Sequence, residues 1–290
     1  MKDGRELHME CLATGFGLIE GPVWDAGAGL YFSDAAAGGV NLLDRAGNVS
    51  TVVPKRRGVG GMALHGADGL VMGGRDIAVV RIADGKTSPI LSLSQLPGAT
   101  GFNDLTVDAM GRVYVGSLTF RVFSGDTPTP GFLHRIDLDG TIHTVADGIL
   151  LSNGIAFSAD GRLLYHADAR ADVVRVYDVQ PDGALGPWRP FATFGSHGTP
   201  DGMKVAVDGS VWVAVAHAGI VRVFNADGSH RRDIEIPLPL VTSLCFGGDD
   251  LRDLYVVTGS KGGPSDRCGS IYRIRSDVSG VPMHAAKVRV

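Results

Sequence analysis

Apolar positions along this chain fall in short runs of Val, Ile, Leu, Tyr and Phe, each cut off by Gly, Asp or Asn. Runs of that length, bounded by turn formers, predict β-strands. The i, i+3, i+4 spacing of an amphipathic helix is almost never sustained. The runs also repeat. Six segments open on a small or polar residue, enter an apolar run, and mostly meet a D-x-G-type turn before a second strand. They are EGPVWDAGAGLYFSDA from Glu20, GGMALHGADGLVMGG from Gly60, NDLTVDAMGRVYVGS from Asn103, NGIAFSADGRLLYHADA from Asn153, DGMKVAVDGSVWVAVAH from Asp201 and TSLCFGGDDLRDLYVVTG from Thr242. A third strand follows each, as in FLHRIDLDG and VVRVYDVQPDG. The starts recur roughly every 40–50 residues, the period of a four-stranded propeller blade. One such sheet cannot bury both faces alone, whereas six packed around an axis do. The pattern predicts an all-β, six-bladed β-propeller, with residues 1–290 forming one domain around a central channel. A pair of two-sheet sandwiches is the alternative, but sandwiches need no such repeat. Either Met9–Ala13 or the C-terminal HAAKVRV supplies the outer strand that closes the ring.

Composition narrows the class. The chain is 44% hydrophobic, enough for a large core. Its net charge of −4 gives no basis for non-specific nucleic-acid binding. The 42 glycines have no three-residue period, which excludes collagen and fits many tight turns. Cys11, Cys245 and Cys268 are an odd set without metal-type spacing, so no disulfide framework is implied and a reduced compartment is expected. The opening MKDGRELHMECLATGF lacks the apolar core of a secretory signal. No apolar run is long enough to span a membrane. The expectation is a soluble, cytoplasmic protein whose partner is a small molecule rather than nucleic acid or membrane.

The residues heading the six segments carry the candidate chemistry. They are Glu20, Gly60, Asn103, Asn153, Asp201 and Thr242. The first strand of a propeller blade lines the central channel, so equivalent positions lie at similar heights around the axis. Glu20, Asn103, Asn153 and Asp201 thus aim oxygen donors at one region. Gly21, Gly154 and Gly202 follow three of them and let backbones crowd together. Two carboxylates in a narrow channel raise each other's pKa unless a cation lies between them. An all-oxygen set suits one divalent cation, Ca2+ first, with Mg2+, Mn2+ or Zn2+ as alternatives; without Cys or His a structural zinc site is disfavoured. The other reading is that these side chains only hydrogen-bond blade to blade. A divalent ion with few protein ligands keeps positions open for substrate and polarises a carbonyl. Asp201 or Glu20 can take a proton from water. Metal-assisted hydrolysis of an ester-like bond is the natural class.

Loops between second and third strands form the rim: residues 34–39, 73–77, 117–131, 168–172, 217–219 and 258–269. The longest, SLTFRVFSGDTPTPG, carries Phe120, Arg121 and Phe123 and is either a lid or a passive loop. Arg75 either binds an anionic group or pairs locally with Asp76. His217 is either a proton shuttle or structural. Asp104 replaces a Gly found in other segments and is placed to hold water or orient Asn103. Phe120, Arg121, Asp104, Arg75 and His217 are the candidate substrate-binding residues.

LIEGPVWD, FNDLTVDAMGRVYVGS, LSNGIAFSADGRLLYHAD, TPDGMKVAVDGSVWVA and VTSLCFGGDDLRDLYVVTG resemble the SMP-30/gluconolactonase/luciferin-regenerating-enzyme family along nearly the whole chain. The resemblance implies a six-bladed propeller with one catalytic divalent ion in the channel, and a lactone hydrolase, commonly of sugar lactones. It implies Glu20, Asn153 and Asp201 as metal ligands, Asn103 as a residue touching metal or substrate, and Asp201 as base. Sugar-acting members often carry Arg two residues before the Asn of the N-D motif and an acid on the lid. Here Gly101 stands at the first position, and the lid offers Leu118, Phe120 and Arg121. A less polar substrate than a sugar lactone is therefore expected. Other metal-assisted reactions stay open: phosphotriester hydrolysis, isomerisation and carbon–carbon cleavage. So does a non-catalytic calcium-binding propeller.

Overall fold

The computed structural model describes residues 8–66, 69–122 and 124–290. Residues 1–7, Ala67, Asp68 and Phe123 lie outside the described residues, and with them the start of the N-terminal reading, the turn of the second segment and one lid aromatic. The chain forms six four-stranded antiparallel sheets, one for each repeat. Their inner strands are Ile19–Asp25, Met62–His65, Gly101–Val107, Ser152–Phe157, Thr199–Val205 and Val241–Gly247, which define blades 1 to 6. Among the described residues the one helical element is a single 3-10 turn, Leu93–Gln95. No helix there is long and apolar enough to cross a membrane.

The core explains the ring. Six apolar clusters occur among the described residues, one at each interface between neighbouring blades. Tyr114, Leu133 and Ile149 of blade 3, for example, pack on Ile155, Leu164 and Tyr177 of blade 4. Ile19 and Phe32 of blade 1 meet Cys245 and Val257 of blade 6, so both faces of every sheet are covered. The N-terminal strand Met9–Phe16 closes the ring, pairing antiparallel with Gly269–Arg275 as the outer strand of blade 6. The C-terminal HAAKVRV does something else. Ala286 exchanges main-chain hydrogen bonds with Leu64 and Gly66, and Arg289 N–H donates to Leu138, so the tail laces blades 2 and 3.

Candidate active site

The four oxygen-bearing residues sit where the inner strands leave regular pairing. Register slips between Glu20 and Val23, Phe102 and Leu105, Ser152 and Ile155, and Pro200 and Met203. Asn103, Asn153 and Asp201 lie inside these irregularities, and Glu20 borders its own. A bulge bends a strand and re-aims its side chains. The glycines allow the blades to meet closely here: a β-carbon on Gly154 would strike the backbone of Asp201 and Met203, and one on Gly202 would strike Ser243.

The structure joins the two amides directly and sets the two acids within electrostatic reach of each other. The Asn103 amide donates to the Ser152 carbonyl at 2.8 Å and to Oδ1 of Asn153. Its own Oδ1 points at Gly60, where a β-carbon would collide with it. That accounts for Gly at the head of blade 2. Thr242, at the head of blade 6, is buried and bonds the Ile19 and Val257 carbonyls at 2.5 and 3.2 Å. It latches blade 6 to blade 1 rather than joining the donors.

Electrostatics single out the acids. Burial holds the Glu20 carboxyl well above its usual range, and the charges of Asp201 and Asp104 push it further. Asp201 is raised in the same way by burial and then by Asp104, against the pull of a Gly202 N–H. Asp104 is raised by burial, offset by the Lys204 ammonium and a 2.7 Å hydrogen bond from the Leu105 N–H. Among the described residues, no Lys, Arg or His forms an ion pair with Glu20 or Asp201. Two carboxylates and two amides with no fixed counter-cation fit a hard divalent ion. No three His, Cys, Asp or Glu side chains gather as a metal site among the described residues, and half of this donor set is amide.

Supporting residues escaped the sequence reading. Ser152 Oγ meets His166 Nε2 at 2.7 Å, both fully buried, behind the carbonyl that orients Asn103. Asp76 is held by Arg56 at 2.5 Å and makes no ion pair with Arg75, which is exposed; of the two readings of Arg75, the local pair is the one not formed. Arg121 makes a two-pronged pair with Asp126 inside its own loop, both at 3.0 Å. Phe120 is only 3% exposed. Asp104 accepts from the Leu105 N–H and makes no hydrogen bond to Asn103 among the described residues, so of the two readings, holding water or orienting that amide, the second has no direct bond behind it. His217 is exposed on its turn with φ of 67°. The larger of two described cavities, about 920 Å3, lies at the other end of the inner strands, walled by Phe157, Lys204 and the Val281–His284 tail; none of the four donors lines it.

Residues 18–260 match the family model for the SMP-30/Gluconolactonase/LRE-like region. The chain belongs to that family. It is 31% identical over 287 residues to the pentonolactonase XacC of Haloferax volcanii, covering 94% of this chain and 96% of that one. It is 30% identical over 275 residues to a 6-deoxy-6-sulfogluconolactonase of Pseudomonas putida, covering 91% and 92%. In fold it follows a luciferin-regenerating enzyme, with a TM-score of 0.88 at 23% identity over 98% of this chain and 100% of that one. A regucalcin from Agrobacterium tumefaciens, described as calcium-binding, gives 0.84 at 20% identity over 98% of each chain.

Proposed function

We propose that this family member is a divalent-metal-dependent lactonase, one domain over its full length, acting in the cytoplasm. The observation that carries the reading is the pair of enclosed, mutually repelling carboxylates, Glu20 and Asp201, at the heads of blades whose neighbours present Asn103 and Asn153, with no Lys, Arg or His paired to either acid among the described residues. The lactonase relatives support a cyclic ester as the bond attacked. Glu20, Asn153 and Asp201 would hold the ion, with Asn103 beside it, and Ca2+ is the choice for such an all-oxygen set. When bound, such an ion supplies Lewis-acid polarisation of the lactone carbonyl.

The chain's own groups do the rest. Asp201 takes a proton from water as the water oxygen adds to the acyl carbon. The ring C–O bond breaks, and the proton passes to the departing ring oxygen, leaving a hydroxy acid. In the metal-free protein, burial and Asp104 hold the Asp201 carboxyl above its usual range. Asn103, pinned by Ser152 and Asn153, keeps its Oδ1 fixed in the site. With Gly101 and Leu118 at the mouth, few groups bind ring hydroxyls, so the ring accepted is less hydroxylated than a sugar lactone.

A panel of aliphatic, sugar and aromatic lactones beside phosphotriesters tests this. Turnover of a lactone class that chelator abolishes and Ca2+ restores is expected. Turnover of phosphotriesters alone assigns a different reaction, and lactone turnover indifferent to chelator removes the metal from the account.

A further inference from the structure

Blade 2 gives the site no side chain, since its head residues are Gly60 and Gly61. Its loops carry two guanidiniums instead. Arg57 lies on the segment entering the blade, and Arg75 on the loop between Gly69–Met72 and Asp76–Arg81. Both are exposed, and neither meets a carboxylate among the described residues. Asp76, next to Arg75 in the chain, is already paired with Arg56. The chain as a whole carries −4, so this patch is no by-product of a basic surface.

The two segments form one edge beside the donors. A β-carbon on Gly74 would lie 3.0 Å from the Arg57 carbonyl oxygen. The Gly74 carbonyl accepts from Phe102 N–H at 3.0 Å, and a β-carbon on Gly73 would lie 3.0 Å from the Asn103 carbonyl oxygen. The backbone bearing Arg75 is thus fastened to the strand bearing Asn103. The Arg57 side chain runs across Gly38 of the blade 1 rim, where a β-carbon would come within 2.9 Å of its Cγ.

We propose that Arg57 and Arg75 form an oxyanion subsite on this edge, selecting lactones that carry a carboxylate, sulfonate or phosphate substituent. This rests on the lactone-opening reading of the neighbouring site. Guanidiniums recognise planar and tetrahedral oxyanions through paired N–H donors, and unpaired ones are available to do so. Two positive charges on this edge also draw anionic substrates toward the neighbouring site.

Calorimetry on calcium-loaded protein tests the subsite with a lactam that cannot turn over as an ester. Pyroglutamate, a five-membered lactam bearing a carboxylate, is compared with its neutral amide. The carboxylate is expected to bind roughly ten-fold or more tightly, with the preference shrinking at high salt. The Arg57→Ala/Arg75→Ala double variant erases the preference, and the double Lys variant recovers part of it. Equal binding of the two probes, no binding of the carboxylate, or a preference that survives the double Ala change overturns the proposal. Turnover of γ-butyrolactone and its carboxylated form separates the two readings. Lactone opening without anion preference rejects the subsite alone; anion preference in binding with no lactone opened rejects the lactonase reading alone.

Discussion

Asn103 donates one amide hydrogen to the main-chain oxygen of Ser152 at 2.8 Å, across the interface between blades 3 and 4. The other hydrogen goes to Asn153 Oδ1, so one side chain sets two amide oxygens at once. Asn103→Ala frees both. Turnover should fall by about 100-fold or more and calcium affinity by roughly ten-fold, with the melting temperature lowered by only a few degrees. Steady-state kinetics, calorimetry and thermal melts check the three numbers separately.

Gly60→Ala tests the same amide from the other side. Gly60 has no positive φ, so the change carries no backbone strain of that kind, and its β-carbon falls on Asn103 Oδ1. The variant should fold and lose activity much as Asn103→Ala does. Adding Asn103→Ala to it should cost little more, since the two changes act on one group. Full additivity in that double-mutant cycle would show that they act independently.

Acid should weaken the fold through two buried imidazoles. Burial pushes His166 down to about 3 and His134 to about 4, from the ordinary 6.5. The folded values are depressed, so the unfolded chain takes up protons first as pH drops below 6.5. The stability these groups contribute is present above that pH and is lost down through about 4 and 3, at roughly 1.4 kcal/mol per pH unit for each group. Denaturant melts from pH 7 to 4.5 should show the loss, and His166→Asn should reduce the slope even if it is less stable at pH 7.

Metal binding should compete with protons. In the metal-free protein the Glu20 and Asp201 carboxyls are raised by burial and by neighbouring acids. A raised carboxyl favours the folded state while protonated, and that contribution is lost as pH climbs through its folded value. A divalent ion replaces the proton, so the rise in melting temperature on adding Ca2+ should be larger at pH 7.5 than at pH 5. Glu20→Gln should flatten that difference.

The six blades were legible, and the four proposed donors could be picked out, because both ride on one period. Apolar runs and the residues before them recur together, and Glu20, Asn103, Asn153 and Asp201 fall in register. What makes the register productive was not legible. A bulge is a relation between two strands, and nothing in SNGIAF alone says that Ser152 keeps its pairing while Asn153 leaves it. Adjacent charges left two readings open for a similar reason. Asp76 follows Arg75 in the chain, yet Arg56, 20 residues away, takes it in space. The choice of Met9–Phe16 to close the ring is likewise a contact between chain ends that no local pattern encodes.

The central claim is that Glu20, Asn153 and Asp201 hold one divalent ion on which turnover depends. Calorimetric titration of chelator-stripped protein with Ca2+, with lactone turnover assayed at each point, tests it most directly. The account predicts one ion bound per chain, activity rising in step with occupancy, and loss of both in Asp201→Asn with the fold retained. Full turnover before any ion is added, or unchanged binding in Asp201→Asn and Glu20→Gln, would contradict it.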